Sequence, residues 1–504
     1  MARSISTTRK KVTSLRWTDH PLIDMGLTAV ILESGKYAPE EVTEEDWQSV
    51  MKTVKRNYVN RNFEKSSGIL FTYNAPFTNP SYSKKPEERK KAIDFAFAIA
   101  TGKSDPLPEN CYFFNDRPAW IRAARDQVPL LMGREQINFY ATGTSELPLS
   151  DIAYGCLLAL PLATPIISGK MAILKTDDPE LLLEIADKWK GELDREYAKK
   201  ELSDRKGIRT RITETLDSIF ELYTKKKKKV AKTTKNQIVN EKYYGGLSVY
   251  HLSNSGNGPG IQIYHYQPFS LKFLKRANMG AYHFAWKAFT GAFWLSPSGK
   301  TGGSEPSKED RPVRKNIVME RMTAGPEEAK TIIQFFLRYA RNRAGILSNL
   351  RVSDIDLWPN TSSLVELFLM EIYVMKLERI EKIKKLADTL ADEIDSNKDS
   401  TLFKNIMGIS SVRNSYYNFR NILIRAIRAR LKRTGSLLLN TDDYLSIFES
   451  TEELPDSGWS LARDLLRLRC LEELHRKNYF KKDPDALVGS TEEEVENEEN
   501  LEEK

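Results

Sequence analysis

Beyond Pro326 the apolar residues recur every three or four positions, and extended patterns vanish. Ile380, Ile383, Ala387, Leu390 and Ile394 hold that spacing. So do Tyr416, Phe419, Leu423, Ile427 and Leu431, and again Leu461, Leu465, Leu468, Leu471 and Leu474. A period near 3.6 puts each set on one helix face, and successive amphipathic helices bury such faces against one another. With a further helix expected near 363–377, the spacing predicts an all-α helical bundle over 346–488. Upstream, both periods occur in turn. The chain is therefore expected to be α+β: a large mixed N-terminal domain over 1–345, then the C-terminal bundle. Its 504 residues fit two to four domains, or two large ones.

In the N-terminal part, helices are expected over 21–30, 43–58, 86–101, 151–160, 181–200 and 208–223. Pro21 suits a first turn, and Thr43 with Asp46 forms a capping pair ahead of Trp47, Val50, Met51 and Val54. Strands are expected over 68–73, 134–140 and 170–175. Residues 142–150 read as a loop. Aromatics between 269 and 293 are expected to be core, and 296–306 reads as a linker.

The stretch 225–267 points to a partner. Five lysines, Lys225 to Lys229, open it, and Lys232 and Lys235 follow. Two β-favouring runs then flank Ser253-Asn-Ser-Gly-Asn-Gly-Pro-Gly260. Such a loop offers backbone N–H groups and amides with almost no bulk, which suits close approach to a phosphate or a base edge. The lysines supply the charge on which nucleic-acid affinity depends. An ordinary hairpin beside a solvated lysine run accounts for the same residues. The segment 74–85, with Asn74, Asn79, aromatics and lysines, has similar base-reading chemistry and the same plain alternative.

Charge supports a polyanion as partner. The stretch 491–504 holds eight glutamates and one lysine; setting its −7 aside from the chain's +8 leaves +15 on the first 490 residues. Residues 489–504 are expected to be an acidic, disordered tail with no role assigned. Between 412 and 433 stand Arg413, Arg420, Arg425, Arg428, Arg430, Lys432 and Arg433 without one acid. That excess suggests a groove for phosphates.

Three widely spaced cysteines, Cys111, Cys156 and Cys470, fit a reducing cytoplasm and no metal-ligand spacing. The basic start lacks the apolar core of a secretory signal, and no apolar run is long enough to span a bilayer. Asp19, His20 and Asp24 read as capping and surface residues, since no second ligand cluster accompanies them. Gly299-Lys300-Thr301 has the ending of a phosphate-binding loop, but Trp294 stands where its first glycine is needed.

Four segments resemble the large subunit of type I CRISPR surveillance complexes (Cascade), most closely the type I-B branch. They are Trp17-Thr-Asp-His-Pro-Leu-Ile-Asp-Met-Gly-Leu27, then Ala159-Leu-Pro-Leu-Ala163 with Thr176-Asp-Asp-Pro-Glu180, then Leu252 to Tyr264 and Arg463 to His475. The resemblance implies a non-catalytic subunit near the 5′ end of the guide. It would recognise the protospacer-adjacent motif in target dsDNA, help form the R-loop and recruit the helicase-nuclease. Its implied partners are guide CRISPR RNA, target dsDNA, the other Cascade backbone and small subunits and the helicase-nuclease, with no membrane. The resemblance also implies that the bundle is like the small subunit, and Met370 or Met375 is suitably placed for an internal start. No cofactor, metal or catalytic residue is expected. Asn74, Asn79, Asn254, Asn257 and Gln262 are assigned to duplex reading or guide-handle contact. Lys227, Lys228, Lys229, Arg425 and Arg428 are assigned to holding backbone. A metal-dependent nuclease and a basic structural RNA-binding protein unrelated to CRISPR are the alternatives.

Overall fold

The computed structural model describes residues 15–72, 75, 78–131, 146–200, 207–230, 245–254, 259–280, 282–294, 315–336, 358–407, 416–448 and 459–482. The chain is mixed α+β, and its C-terminal region is helical. It divides into two compact units: Met1–Ile219 with Val239–Pro268 and Pro297–Lys315, and Phe220–Ile238 with Phe269–Ser296 and Asn316–Lys504. Packing thus groups the described residues of 269–294 and 316–336 with the bundle, although the sequence pattern changes only near 326.

In chain order the first unit contains α1 (Pro21–Glu33), α2 (Glu44–Val59), α3 (Glu64–Leu70), α4 (Pro86–Ala100), β1 (Ile121–Ala123) and β2 (Leu147–Leu149). After these come α5 (Asp151–Ala159), β3 (Ile166–Ile167), β4 (Lys170–Thr176), α6 (Pro179–Lys199), the start of α7 (Ile208–Val230), β5 (Leu247–Ser253) and β6 (Gly260–Tyr266). Helix α1 is apolar on every side and buried from Leu22 to Ile31, so it serves as the unit's central rod. It packs on α5, α6 and β4. Gly26 sets the closest approach: a Cβ there would lie 2.1 Å from the Cys156 carbonyl oxygen on α5. On the other side of α5, a Cβ on Gly155 would lie 2.4 Å from the Trp47 ring of α2. Thr43 and Asp46 form the expected reciprocal cap of α2.

Strands β3 to β6 form one antiparallel sheet in chain order. Met171 to Leu174 of β4 are buried on both faces. In the register, Val249 of β5 lies between Leu174 and Tyr264. Strand β6 is an edge, and only Tyr266 within it is buried.

The second unit contains α8 (Pro268–Ala277), α9 (Tyr282–Gly291), α10 (Ile317–Met322), α11 (Pro326–Lys330), α12 (Trp358–Ile372) and α13 (Leu377–Asn397). It continues with α14 (Ser400–Met407), α15 (Tyr416–Thr434), α16 (Thr441–Phe448), α17 (Trp459–Arg476) and α18 (Tyr479–Lys482). Aromatic rings fill its first part: Phe289 stacks on Phe336 at 4.0 Å, and Phe273 meets Trp286 and Phe368 edge-on. Helices α13 and α17 pack along their lengths with the expected apolar seams inward. Two buried arginines finish neighbouring helices. Arg379 donates from Nε and a terminal nitrogen to the Ile447 carbonyl at 3.0 and 2.8 Å, and Arg467 Nε donates to the Ile406 carbonyl at 2.7 Å. These carbonyls lie at helix ends, where intrahelical donors run out.

Several local expectations fail for identifiable reasons. The strand expected over 68–73 is replaced by α3, which packs on β4 and β5; a short buried apolar run does not distinguish the two states. The loop over 142–150 contains β2, paired with β1. The helix near 363–377 runs over 358–372 instead. Phe284 is 69% exposed in an otherwise core-facing aromatic series. Leu431 is exposed because steps of four residues drift about 40° each against the helical period, carrying it off the seam of Phe419 and Leu423. The strand over 134–140, the linker over 296–306 and the acidic tail lie outside the described residues.

Candidate nucleic-acid interface

The assigned hairpin exists, but its amides differ in availability. Asn254 follows β5 and is fully buried. Its Oδ1 accepts from the Leu130 N–H at 3.3 Å, and its Nδ2 donates to the Arg125 carbonyl at 3.2 Å. Its own N–H donates to the Ile69 carbonyl at 2.8 Å. Asn254 therefore ties β5 to two other segments and presents no amide to a ligand, which corrects its assignment. Asn74 and Asn257 lie outside the described residues. Asn79 spends its Oδ1 on the Ser81 N–H and hydroxyl, at 2.9 and 2.8 Å, starting a short 3-10 turn. Gln262 is exposed on β6, and its Oε1 accepts from Lys170 Nζ at 3.4 Å and the Tyr264 hydroxyl at 3.2 Å. Beside it, the Arg209 guanidinium lies 4.9 Å from the Tyr264 ring centroid. Lys227, Lys228 and Lys229 fall within the last turns of α7, which runs past the expected end at Tyr223 to Val230.

The basic run near the end of the chain separates into two sets on α15. Arg430 and Arg433 both pair with Glu393 of α13. Arg420 lies over the rings of Tyr416 and Tyr417, at 5.8 and 5.6 Å. These three are structural. Arg425, Arg428 and Lys432 are exposed, and none has an ion-pair partner among the described residues. Phe419, Leu423 and Ala426 fix this orientation by facing the bundle, where Phe419 meets Phe448 and Trp459. Arg413 lies outside the described residues.

The Asp19, His20 and Asp24 group serves the fold. Asp24 accepts from the Thr18 N–H and hydroxyl at 2.7 and 2.8 Å, and Asp19 pairs with Lys175. Burial, aided by Lys175, lowers the His20 pKa from 6.5 to about 4. Among the described residues no group of three or more His, Cys, Asp or Glu could hold a metal ion, and no helix is long and apolar enough to cross a membrane. An open cleft of about 460 Å³ at the ends of α2 and α6 has no signal in the sequence pattern. There Arg61, Lys65 and Lys200 face Glu64 and Glu196, a mixture that favours neither sign of ligand. No protein-family model matches this chain, and no curated protein is significantly similar to it.

Proposed function

We propose that the chain binds nucleic acid as the non-catalytic large subunit of a CRISPR RNA-guided surveillance complex acting in the cytoplasm. In that role it recognises the protospacer-adjacent motif in target dsDNA, helps R-loop formation and recruits the helicase-nuclease. Its partners are the guide CRISPR RNA, target dsDNA, the other Cascade backbone and small subunits and the helicase-nuclease. The observation supporting a polyanion partner is the outer face of α15. Arg425 and Arg428 stand there uncompensated, while the other described arginines of that helix are taken up by Glu393 and by aromatic rings. The four resembling segments support the more specific role.

The test has two arms. Binding of labelled single-stranded and duplex DNA is followed across a salt series by anisotropy, for the wild-type chain and for Arg425→Glu/Arg428→Glu. Loss of two phosphate contacts should flatten the log–log salt slope by about 1.4 on single strands and 1.8 on duplex. An unchanged slope removes α15 from the interface. Co-purification with a small repeat-containing RNA tests the CRISPR assignment; nucleic-acid binding without such an RNA favours the unrelated RNA-binding alternative.

A further inference from the structure

The outer face of α15 carries more than charge. Tyr417, Ile424 and Leu431 are 62, 37 and 45% exposed. They stand seven residues apart, which places them on one stripe of the helix. Arg425, Arg428 and Lys432 flank that stripe. Apolar groups held in water beside cations fit a segment bearing both acids and apolar side chains.

The chain contains such a segment. From Glu492 to Glu503 there are eight glutamates, Val495, Leu501 and no cation. Its point of departure is near α15. The rings of Tyr479 and Phe480 on α18 lie 6.2 and 5.7 Å from the Phe403 ring on α14, and α14 packs against α15. The ten residues from Lys482 to Glu492 reach about 35 Å when extended. Helix α15 has 19 residues, so it is about 28 Å long, and packed helices lie about 10 Å apart. The acidic stretch can therefore reach the stripe within its own chain.

We infer that residues 489–504 dock on the outer face of α15 and compete with nucleic acid for Arg425 and Arg428. The competition rests on the function proposed above; the docking does not. A tether of this length gives an effective concentration of about 1 mM. A tail that binds the face with a Kd of about 0.1 mM then weakens apparent nucleic-acid affinity about tenfold.

Carbodiimide joins a carboxylate to a lysine amine only at contact distance. In the full chain, a crosslink is expected between a glutamate of 492–503 and Lys432, and it should fade in Arg425→Glu/Arg428→Glu. Absence of that crosslink, or its appearance only between two copies of the chain, overturns the docking. The second readout is affinity for labelled single-stranded DNA at low salt. It should rise about tenfold when the chain ends after residue 488, and equally when the eight glutamates become glutamine. The gain should shrink as salt rises. Unchanged affinity in both variants overturns the competition. If no form of the chain binds DNA, the proposed function fails, and the Lys432 crosslink alone decides the docking.

Discussion

Asn254 shows how a residue chosen for its chemistry can be claimed by the fold. An amide in a glycine-rich loop is equally suited to a base edge and to two backbone groups, and here the backbone groups take it. Asn254→Ala should therefore cost about 1–3 kcal/mol in urea unfolding, since it strands the part-buried Leu130 N–H and Arg125 carbonyl. Nucleic-acid affinity of the folded variant should not change. His20 makes a second prediction at this scale. Its depressed pKa means that the unfolded chain takes up a proton before the folded one does. The His20 contribution is thus fully present above pH 6.5 and is lost as pH falls towards 4, by at most about 3 kcal/mol. Asp24, raised chiefly by burial, acts in the opposite sense and gains stability as it protonates. His20→Gln should flatten unfolding free energy between pH 6.5 and 4 while leaving the Asp24 contribution in place. An unaltered pH profile would count against the buried neutral imidazole.

At the scale of elements, contact between helix backbones decides the first unit. Gly26 and Gly155 lie at crossings where α5 is held between α1 and α2. Gly26→Ala would push a methyl into a main-chain oxygen that cannot rotate away, at a cost of about 3 kcal/mol. The readout is the urea midpoint. A variant as stable as wild type would mean that the two helices can separate freely. This crossing also bears on the resemblance. Asp24 and Gly26 belong to the N-terminal resembling run, and both act here in packing and local hydrogen bonding. Asp178 of the second segment caps α6 by accepting from the Glu180 and Leu181 N–H groups. The segment 463–475 lies inside α17, packed against α13. In this chain Asp24, Gly26, Asp178 and the residues of 463–475 thus serve packing and capping. The proposed polyanion binding falls instead to surface residues such as Arg425, which lies outside all four segments.

For the whole molecule, the proposed role requires binding without bond cleavage. Incubation with labelled DNA and magnesium or manganese should yield stable complexes and no sustained cutting; product accumulating with time would favour the nuclease alternative. Much of the architecture was legible in sequence because period is a local property. The seams of α13 and α17, the cap of α2, the proline start of α1 and the strands around 253–260 each follow from residues within a turn or two of one another. Tertiary packing settled what local pattern left open. It turned 68–70 into a helix beneath the sheet, gathered the described residues of 269–294 and 316–336 with the bundle, buried Asn254 and divided one basic run into cations bound to Glu393 and cations facing water. A side chain's fate depends on what stands across from it, and Glu393 lies 37 residues from Arg430 along the chain. Such a partner is chosen by the meeting of two helices, and no window of sequence contains it.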